Sequence, residues 1–366
     1  MTGWKRFHKG KRTRVTTIAR VAERAGVGVG TVSRVLNGSS SVSERTRRHV
    51  LRVIEELGYE PNAAARALST GRTRTLGVIA PFFTQPSVVE RLRGVSRVIA
   101  DAGYHLVLFD VEHPEPFAGL GVGGRLDGLL CVSLRPADAA LDRFAAARVP
   151  VVLVDCEHPR LGGVSIDDFA GGRMAAEHLL SLGHRRIAYV GDDEPSAFGF
   201  TASARRRVGA ERAMTAAGLR LTVRRAPFGR EPARSVAAGL LGLEAPPTAI
   251  FAGSDAQALG VLEAAETAGM RVPRDLSVVG FDDIETARYV GLTTVSQPLE
   301  QSGVQGARLL LRALDGEPPG THRLPLRLVV RSTTAAPSNG PGGTPAGPMR
   351  HDGIVRRTRP LTRGSS

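Results

Sequence analysis

Short apolar runs alternate with amphipathic stretches from residue 75 to residue 334, and this alternation limits the fold more than any other feature. Runs of strand length, such as LGVIA, PVVLV, RIAYVG and LSVVGF, are separated by segments whose apolar residues recur at helical spacing. The pattern predicts βαβ units and parallel sheets. About ten strand-sized runs are too many for one small sheet, so we expect two α/β lobes. A cleft between two lobes is a common place for a small ligand.

A different pattern occupies residues 16–57, where apolar residues recur at helical spacing over 18–25, 32–36 and 50–57. Three short helices are predicted there. Gly26 lies between the first two, where it would allow the tight turn of a helix-turn-helix.

The formal net charge of +14 is concentrated at the two ends of the chain. Residues 1–75 contain 16 basic and 5 acidic side chains, residues 334–366 contain 5 and 1, and the 258 residues between them contain 28 and 29. A basic module beside a near-neutral body favours nucleic acid as the partner, because no apolar amphipathic face suited to a membrane accompanies the charge. We expect residues 1–14 and 335–366 to be disordered basic extensions.

Several other classes are disfavoured by the sequence. No window approaches the ~18 apolar residues of a membrane-spanning helix, and no apolar run follows the basic start, so a cytoplasmic protein is expected. Cys131 and Cys156 lie in strand-like runs without metal-ligand spacing, which predicts free buried thiols. His178 and His184 are six residues apart, the wrong spacing for two ligands on one helical face. We therefore expect no metal, no cofactor and no enzyme activity.

The N-terminal segment closely resembles the lactose/galactose repressor (LacI/GalR) family. It contains AGV, TVSRVLN, VSxxTR, LGYxPN, PNAAARAL and GRTxxxGV in order, and the similarity continues to about residue 334 through DFAGGRMAAEHLL and VPRDLSVVGFDD. The resemblance implies an N-terminal all-α helix-turn-helix domain with a hinge helix, then a two-lobed α/β sensor like the periplasmic binding proteins. The implied boundaries are 15–61 for the helix-turn-helix domain, 62–74 for the hinge helix and linker, and 75–334 for the effector-binding and dimerisation domain.

The resemblance places the DNA-reading residues on and around the second helix, whose N-terminal end would enter the major groove. Arg34 is the strongest base-reading candidate, because a guanidinium binds guanine O6 and N7 together. The other expected DNA contacts are Thr17, Val29, Thr31, Ser33, Asn37, Ser43 and Thr46. Thr17, Ser43 and Thr46 would contact phosphates through their hydroxyls, and Ser43 is also a plausible N-cap of the third helix.

The chain departs from the family pattern in its reading helix. Gly28, Val29 and Gly30 stand where the family has Ser and two base-reading residues. Each glycine disfavours helix by ~1 kcal/mol and has no side chain to read a base. Discrimination between bases at those base pairs is therefore either weak or due to contact of Val29 with a thymine methyl group. Arg20 replaces a common acidic residue and adds attraction to phosphate rather than specificity.

The resemblance also implies an effector site between the lobes. The residues that match the family's cleft positions are Asp155, Arg207, Ser254, Asp282 and Gln297, and Phe228 is expected to stack on a sugar face. Carboxylates accept hydrogen bonds from pairs of hydroxyls and a guanidinium donates in a fixed fork, so the expected effector is a sugar or related polyol. Alternatively, Asp155 and Asp282 cap the helices that follow their strands.

Two departures concern the first lobe. The sequence QPSV occupies residues 85–88, where the family has NPFF, so we expect the aromatic walls common at that edge to be missing. Residues 110–126 are too short and glycine-rich for the helix that the family places there. This lobe is expected to lack a covering helix, which would expose its sheet or leave it to be covered by a partner.

Together these features predict a sequence-specific DNA-binding transcriptional regulator, expected to be a repressor whose operator affinity a small ligand controls. A homodimer would bind a pseudo-palindromic double-stranded operator. The alternative is a soluble sugar-binding receptor with impaired DNA readout, which Gly28 and Gly30 favour. The intact TVSRVLN and PNAAARAL motifs favour the regulator.

The hinge segment generates a first prediction. By resemblance, Asn62 caps the hinge helix, Arg66 faces phosphate and Leu68 is a wedge in the minor groove. Leu68→Ala should therefore weaken operator binding strongly and leave effector binding unchanged, as measured by fluorescence anisotropy with labelled operator and by calorimetry with effector. Operator affinity equal to that of the unchanged protein would instead mean that Leu68 is ordinary linker packing.

Overall fold

A computed structural model describes residues 16–36, 38–59, 72–111, 125–192 and 198–338. The N-terminal part folds into α1 (Ile18–Ala25), α2 (Val29–Leu36) and α3 (Glu44–Glu56). Gly26 ends α1 with a left-handed φ of 64°, and its N–H donates to the carbonyls of Ala22 and Glu23. The three predicted helices and the predicted turn are thus confirmed. The buried residues that hold them together are Val21, Ala22, Ala25, Val32, Val35, Val50 and Val53.

The rest of the chain forms two α/β lobes, each built on a six-stranded sheet in the described residues. The first lobe contains β1 (Thr75–Ile79), α4 (Pro86–Asp101), β2 (His105–Phe109), β3 (Gly128–Val132), α5 (Asp138–Ala146), β4 (Val151–Val154), β5 (Gly163–Ile166), α11 (Leu299–Leu314) and β11 (Thr321–Leu324). The strand order is β11-β5-β4-β3-β1-β2, and every neighbouring pair is parallel. All residues of β3 and β4 are buried, as is typical of parallel sheets covered on both faces.

The second lobe begins after β5. It contains α6 (Asp168–Ser181), β6 (Ile187–Gly191), α7 (Ala202–Ala216), β7 (Thr222–Arg225), α8 (Arg230–Leu241), β8 (Ala249–Ala252), α9 (Asp255–Thr267), β9 (Ser277–Asp282), α10 (Glu285–Tyr289), β10 (Thr293–Ser296) and β12 (Arg327–Val329). The strand order is β12-β10-β9-β8-β6-β7, in which β12 alone is antiparallel to its neighbour. The chain crosses between the lobes after β5, after β10 and after β11. These crossings bring the carboxyl ends of strands from both sheets together.

Helix pairs in both lobes approach closely enough to exclude a side chain. A Cβ on Gly209 of α7 would overlap the carbonyl oxygen of Phe169 in α6, and a Cβ on Gly172 would overlap that of Arg206. Gly94 of α4 meets the carbonyl oxygen of Glu300 at the start of α11 in the same way. These contacts fix how the helices lie beside one another on each sheet.

The segment after β12 is bound to the second lobe, and its contacts extend beyond the expected boundary at 334. The Ala335 N–H donates to Ser277 Oγ at 3.1 Å, and its carbonyl oxygen lies 2.9 Å from Nε2 of the buried His184. His184 therefore has a structural role. Cys131 and Cys156 are free thiols, the first buried and the second half-buried.

One expectation about the first lobe falls outside the described residues, since residues 112–124 are not among them. The neighbouring edge strand β2 exposes 39% of Val107 and 38% of Leu108. No helix in the described parts of the chain is both long enough and apolar enough to cross a membrane.

The close approach of α6 and α7 generates a prediction about stability. Gly209→Ala should lower the free energy of unfolding by about 1–3 kcal/mol, because the new methyl overlaps backbone that has little freedom to move. Gly239→Ala is a matched control in α8, where a Cβ would meet open space, and should raise it by about 0.5–1 kcal/mol. Urea unfolding followed by circular dichroism measures both. Equal effects of the two changes would contradict the close packing.

Candidate functional site

The second helix of the N-terminal domain exposes the expected reading residues. Val29 is 47% exposed and Arg34 is exposed, while Thr31 and Ser33 are half-buried. A Cβ at Gly28 or Gly30 would meet nothing within 4 Å, so packing within the domain does not require glycine at either position. Val29 is consequently the one protruding side chain at the start of α2.

The three expected phosphate-binding hydroxyls lie at helix N-termini. Thr17 Oγ1 accepts from the Arg20 N–H at 3.4 Å, and Ser43 Oγ accepts from the Thr46 N–H at 3.2 Å. The hydroxyls of Ser43 and Thr46 lie 2.9 Å apart. Ser43 is thus the N-cap of α3, as the sequence also predicted, and each cap satisfies an N–H that its helix leaves free. Contact of these hydroxyls with phosphate stays a prediction.

Four expected DNA contacts lie outside the described residues. They are Asn37, Asn62, Arg66 and Leu68. Their assignments as DNA contacts stay predictions.

Between the two lobes lies a cavity, which we call the interlobe cavity. Its wall in the first lobe includes Phe82, Ser87, Val88, Arg91, Ser133 and Asp155. Its other wall includes Phe200, Arg206, Phe228, Gly253, Gln257 and Asp282, with Gln297 at the crossing after β10. Four of the six expected effector residues therefore line it: Asp155, Phe228, Asp282 and Gln297.

A chain of buried polar groups crosses the interlobe cavity from one lobe to the other. Arg91 Nη2 lies 2.6 Å from Asp155 Oδ1 and donates to Gln297 Oε1 at 2.9 Å. Gln297 Nε2 in turn donates to Asp282 Oδ1 at 2.5 Å. Arg91 Nε is buried and has no hydrogen-bond partner in the described residues. We call these four residues the interlobe chain.

The capping alternative for the two carboxylates is wrong. Asp155 binds Arg91 and also accepts from Ser133 Oγ at 2.7 Å, and the N-cap position of α10 after β9 is Ile284 rather than Asp282. Both carboxylates have a positive backbone φ, 65° for Asp155 and 123° for Asp282. Such backbone is strained for a residue with a side chain and is often found at functional sites.

Burial raises the pKa of Asp282 to about 6, although Arg206 and Arg91 act in the opposite direction. Behind it, burial and the charge of Asp282 raise the pKa of Asp255 well above its usual range. Asp255 accepts from Thr294 Oγ1 at 2.6 Å and from the Ile284 N–H at 2.9 Å. The carboxylate side of the interlobe cavity therefore holds protons more readily than exposed aspartates do.

The arginine of α7 that lines the interlobe cavity is Arg206, and the expectation of Arg207 was wrong by one residue. Arg206 Nε donates to Asp168 Oδ1 at 2.8 Å, Nη1 donates to the Gly253 carbonyl at 2.7 Å, and the guanidinium lies 3.6 Å from the centre of the Phe281 ring. Arg207 lies about 100° further around the helix, where it bonds to Glu211 at 2.6 Å. Because SARRRVGA contains three successive arginines, the sequence alone did not show which of them faces the cavity.

Ser254 is not part of the cavity wall. It is the N-cap of α9, where its Oγ accepts from the Gln257 N–H at 3.2 Å, and it is 1% exposed. Its neighbour Gly253 and the capped Gln257 line the interlobe cavity instead. The sequence expectation placed the cavity-lining residue one position too far along the loop.

The expectation of missing aromatic walls was also wrong. Phe82 lines the interlobe cavity from a position three residues before QPSV, and its ring stacks on Phe228 of the other lobe with centroids 6.5 Å apart. Phe82 has a φ of 58° and also contacts Phe198 edge to face at 5.6 Å. Aromatic rings from both lobes therefore border the polar interior of the cavity.

Arg91 and Phe82 are the principal cavity residues that the sequence expectations missed. Arg91 occupies a position three residues after Val88 and four before Val95, on the buried face of α4. A lone arginine among apolar residues at that spacing was the available signal.

Comparisons with known proteins agree with this architecture. The lacI family of bacterial regulatory proteins matches residues 17–62, and the periplasmic binding protein-like domain matches residues 176–334. The transcriptional regulator CelR of Thermobifida fusca is 36% identical over 343 residues, which are 88% of this chain and 99% of CelR. The chain belongs to the LacI family.

Solved structures of LacI-family members have the same fold. A complex of CelR with cellobiose matches with a TM-score of 0.64 and 33% identity, over 87% of this chain and 99% of that one. The Lac repressor dimer bound to operator and the anti-inducer ONPF matches with a TM-score of 0.77 and 29% identity, over 88% and 100%. The predicted fold class is confirmed, and this LacI-family chain is a DNA-binding transcriptional regulator.

The raised pKa of Asp282 generates a prediction about this LacI-family sensor. The folded-state pKa is about 6 and an unperturbed aspartate has about 3.9. The stability contributed by this group is therefore fully present below about pH 4 and is lost as the pH rises through about 6. We subtract the free energy of unfolding of Asp282→Asn from that of the unchanged protein at each pH. This difference should fall by on the order of 1–3 kcal/mol from about pH 4 to about pH 6.5. Urea unfolding of both proteins measures it, and parallel pH curves would contradict it.

Proposed function

We propose that this protein is a repressor whose affinity for a specific operator is controlled by a small polyhydroxylated ligand in the interlobe cavity. The observation that carries the proposal is the interlobe chain, which joins the lobes through groups that a ligand's hydroxyls are able to bind. The buried Nε of Arg91 is a donor without a partner in the described residues. Buried donors are normally satisfied, so an acceptor oxygen of the ligand is its expected partner.

The surroundings of the interlobe chain favour a sugar. The carboxylates of Asp155 and Asp282 accept from hydroxyl pairs, and the rings of Phe82 and Phe228 offer flat apolar surface to the C–H face of a pyranose. CelR, a relative over nearly the whole chain, has been solved with cellobiose. From these observations we infer a carbohydrate effector for this chain. We expect no catalytic activity and no cofactor.

Control of DNA binding would act through the relative position of the lobes. A ligand that binds one arrangement of the interlobe chain more tightly shifts the protein toward that arrangement. In a dimer this shift changes the distance between the two reading heads, and so changes the affinity for a pseudo-palindromic operator. The protein would act in the cytoplasm, where its DNA is.

Gly28 and Gly30 favour a second function, that of a sugar receptor that discriminates only weakly between DNA sequences. Neither glycine is required by packing, so their presence removes reading side chains without improving the fold. The exposed Arg34 and Val29 favour the regulator.

The test separates these two functions. Purified protein is incubated with sheared genomic DNA from its source, and the bound fragments are recovered and sequenced. Recovery of a few palindromic sites is the expected result, and the adjacent genes then indicate which sugars to examine. Recovery of DNA fragments without a shared sequence would instead favour the sugar receptor over the regulator.

Two charge-matched variants sharpen this test. Arg34→Gln should reduce the ratio of specific to non-specific affinity by about 10- to 100-fold, because one bidentate base contact contributes about 1–3 kcal/mol of discrimination. Arg52→Gln, an exposed position on α3, removes the same charge and should leave the ratio unchanged. Competition binding with a recovered site and a scrambled one at fixed salt measures both. Equal losses in the two variants would show that Arg34 acts only through its charge.

A further inference from the structure

A second cavity adjoins the interlobe cavity and shares Asp155 and Phe200 with it. Its wall includes Arg135 of the first lobe and Arg205 of the second. We call it the arginine cavity. The other polar side chains of its wall are Glu157, Ser165, Asp168 and Thr201. A ligand longer than one sugar ring would pass from the interlobe cavity into it beside Asp155.

The carboxylates of the arginine cavity are already paired with guanidinium groups. The pairs are Asp155 with Arg91 at 2.6 Å, Asp168 with Arg206 at 2.8 Å and Glu157 with Arg323 at 3.0 Å. Glu157 also accepts from Ser165 Oγ at 2.7 Å. Cys156, at the same wall, has its thiol pKa raised to about 12 by burial and remains neutral. Each acidic group of this wall therefore has a guanidinium partner.

Arg135 and Arg205 differ from these arginines. Neither guanidinium has a hydrogen bond or an ion pair with another described residue, although both line the arginine cavity. They project from opposite lobes, so a guanidinium group without an ion pair in the described residues stands on each side of one space. The pKa of Glu157 is lowered, first by its hydrogen bond from Ser165 and in smaller part by the charge of Arg205.

The backbone fixes where both arginines leave the chain. The Arg135 N–H donates to the Phe198 carbonyl at 2.9 Å, and a Cβ added to Gly199, which has a φ of 68°, would lie 3.1 Å from Arg135 Cβ. Arg205 lies in the first turn of α7, where its N–H donates to the Thr201 carbonyl at 3.0 Å. The Thr201 side chain makes no capping hydrogen bond to α7, and Thr201 lines the arginine cavity.

We propose that the arginine cavity is a subsite for an anionic group of the effector, which makes the effector an acidic saccharide. This inference rests on the proposed function, since it assumes that a sugar ring occupies the interlobe cavity. The anionic group is a carboxylate, as in a uronic acid, or a phosphate ester. Guanidinium groups bind both through charge-assisted and frequently bidentate hydrogen bonds.

The experiment compares two sets of sugars by thermal shift and then by calorimetry. The neutral set contains glucose, galactose, xylose and cellobiose. The acidic set contains glucuronate, galacturonate, digalacturonate, glucose 6-phosphate and galactose 6-phosphate, with inorganic phosphate as the reference anion. We expect binding from the acidic set, and whether uronates or phosphates bind identifies the anionic group.

Paired variants test the role of the two arginines. Arg135→Gln/Arg205→Gln should weaken binding of the acidic ligand by about 10- to 100-fold, the loss expected for hydrogen bonds to a charged group. Arg143→Gln/Arg220→Gln removes one exposed arginine from each lobe outside both cavities and should bind as the unchanged protein does. The melting temperature of each free variant shows that it is folded.

Three results would overturn the inference. Binding of neutral sugars alone, unaffected by Arg135→Gln/Arg205→Gln, would leave the proposed function standing and remove the anionic subsite. Equal affinity for inorganic phosphate and for sugar phosphates would make the arginine cavity an ion site unrelated to the effector. Binding of neither set would overturn the inference together with the saccharide part of the proposed function, while operator recovery still tests the DNA-binding part.

Discussion

The salt bridge between Arg91 and Asp155, extended through Gln297 to Asp282, is the interaction on which the arrangement of the two lobes depends. Burying a charge is costly unless it is paired and hydrogen-bonded. Arg91 and Asp155 are paired within the first lobe, and the Gln297 amide joins Arg91 to Asp282 of the second lobe. A displacement of one lobe would break one of the two hydrogen bonds of this amide, so the two lobes have a defined relative position that a ligand is able to change.

The interlobe chain also explains why the two cavities differ in charge. The carboxylates of Asp155, Asp168 and Asp282 share two guanidinium groups, those of Arg91 and Arg206, and burial raises the pKa of Asp282. Neutral hydroxyls, which donate to carboxylates, suit that environment. An anionic group does not suit it, and the adjoining cavity instead presents Arg135 and Arg205, which have no ion pair in the described residues. A ligand with a neutral ring and an acidic substituent would satisfy both cavities together.

The sequence was sufficient for the fold because periodicity is local, and each lobe repeats one strand-helix unit. It was less reliable for the cavity, where the contacts join residues far apart in the chain. Arg91 meets Gln297 206 positions away, and no local pattern marks such a pair. In SARRRVGA the sequence placed a guanidinium in the cavity, but the choice between Arg206 and Arg207 depends on how α7 lies against α6. Gly209 lies about one helical turn after Arg206 and contacts α6. Its place in the sequence therefore indicated which face of α7 packs against α6.

In the reading helix α2, the unusual feature is visible in the local sequence as Gly28 and Gly30. Its consequence, however, concerns the operator DNA. Without side chains at Gly28 and Gly30, each head has fewer base contacts than a typical helix-turn-helix, and each lost contact gives up about 1–3 kcal/mol of discrimination. A dimer reads every retained contact twice on a pseudo-palindrome. The discrimination proposed for Arg34 would therefore count twice, and so would the loss at the glycines. Operator choice would consequently depend on the middle of α2 and on the spacing of the two heads, which is the quantity that the interlobe chain would control in the proposed function.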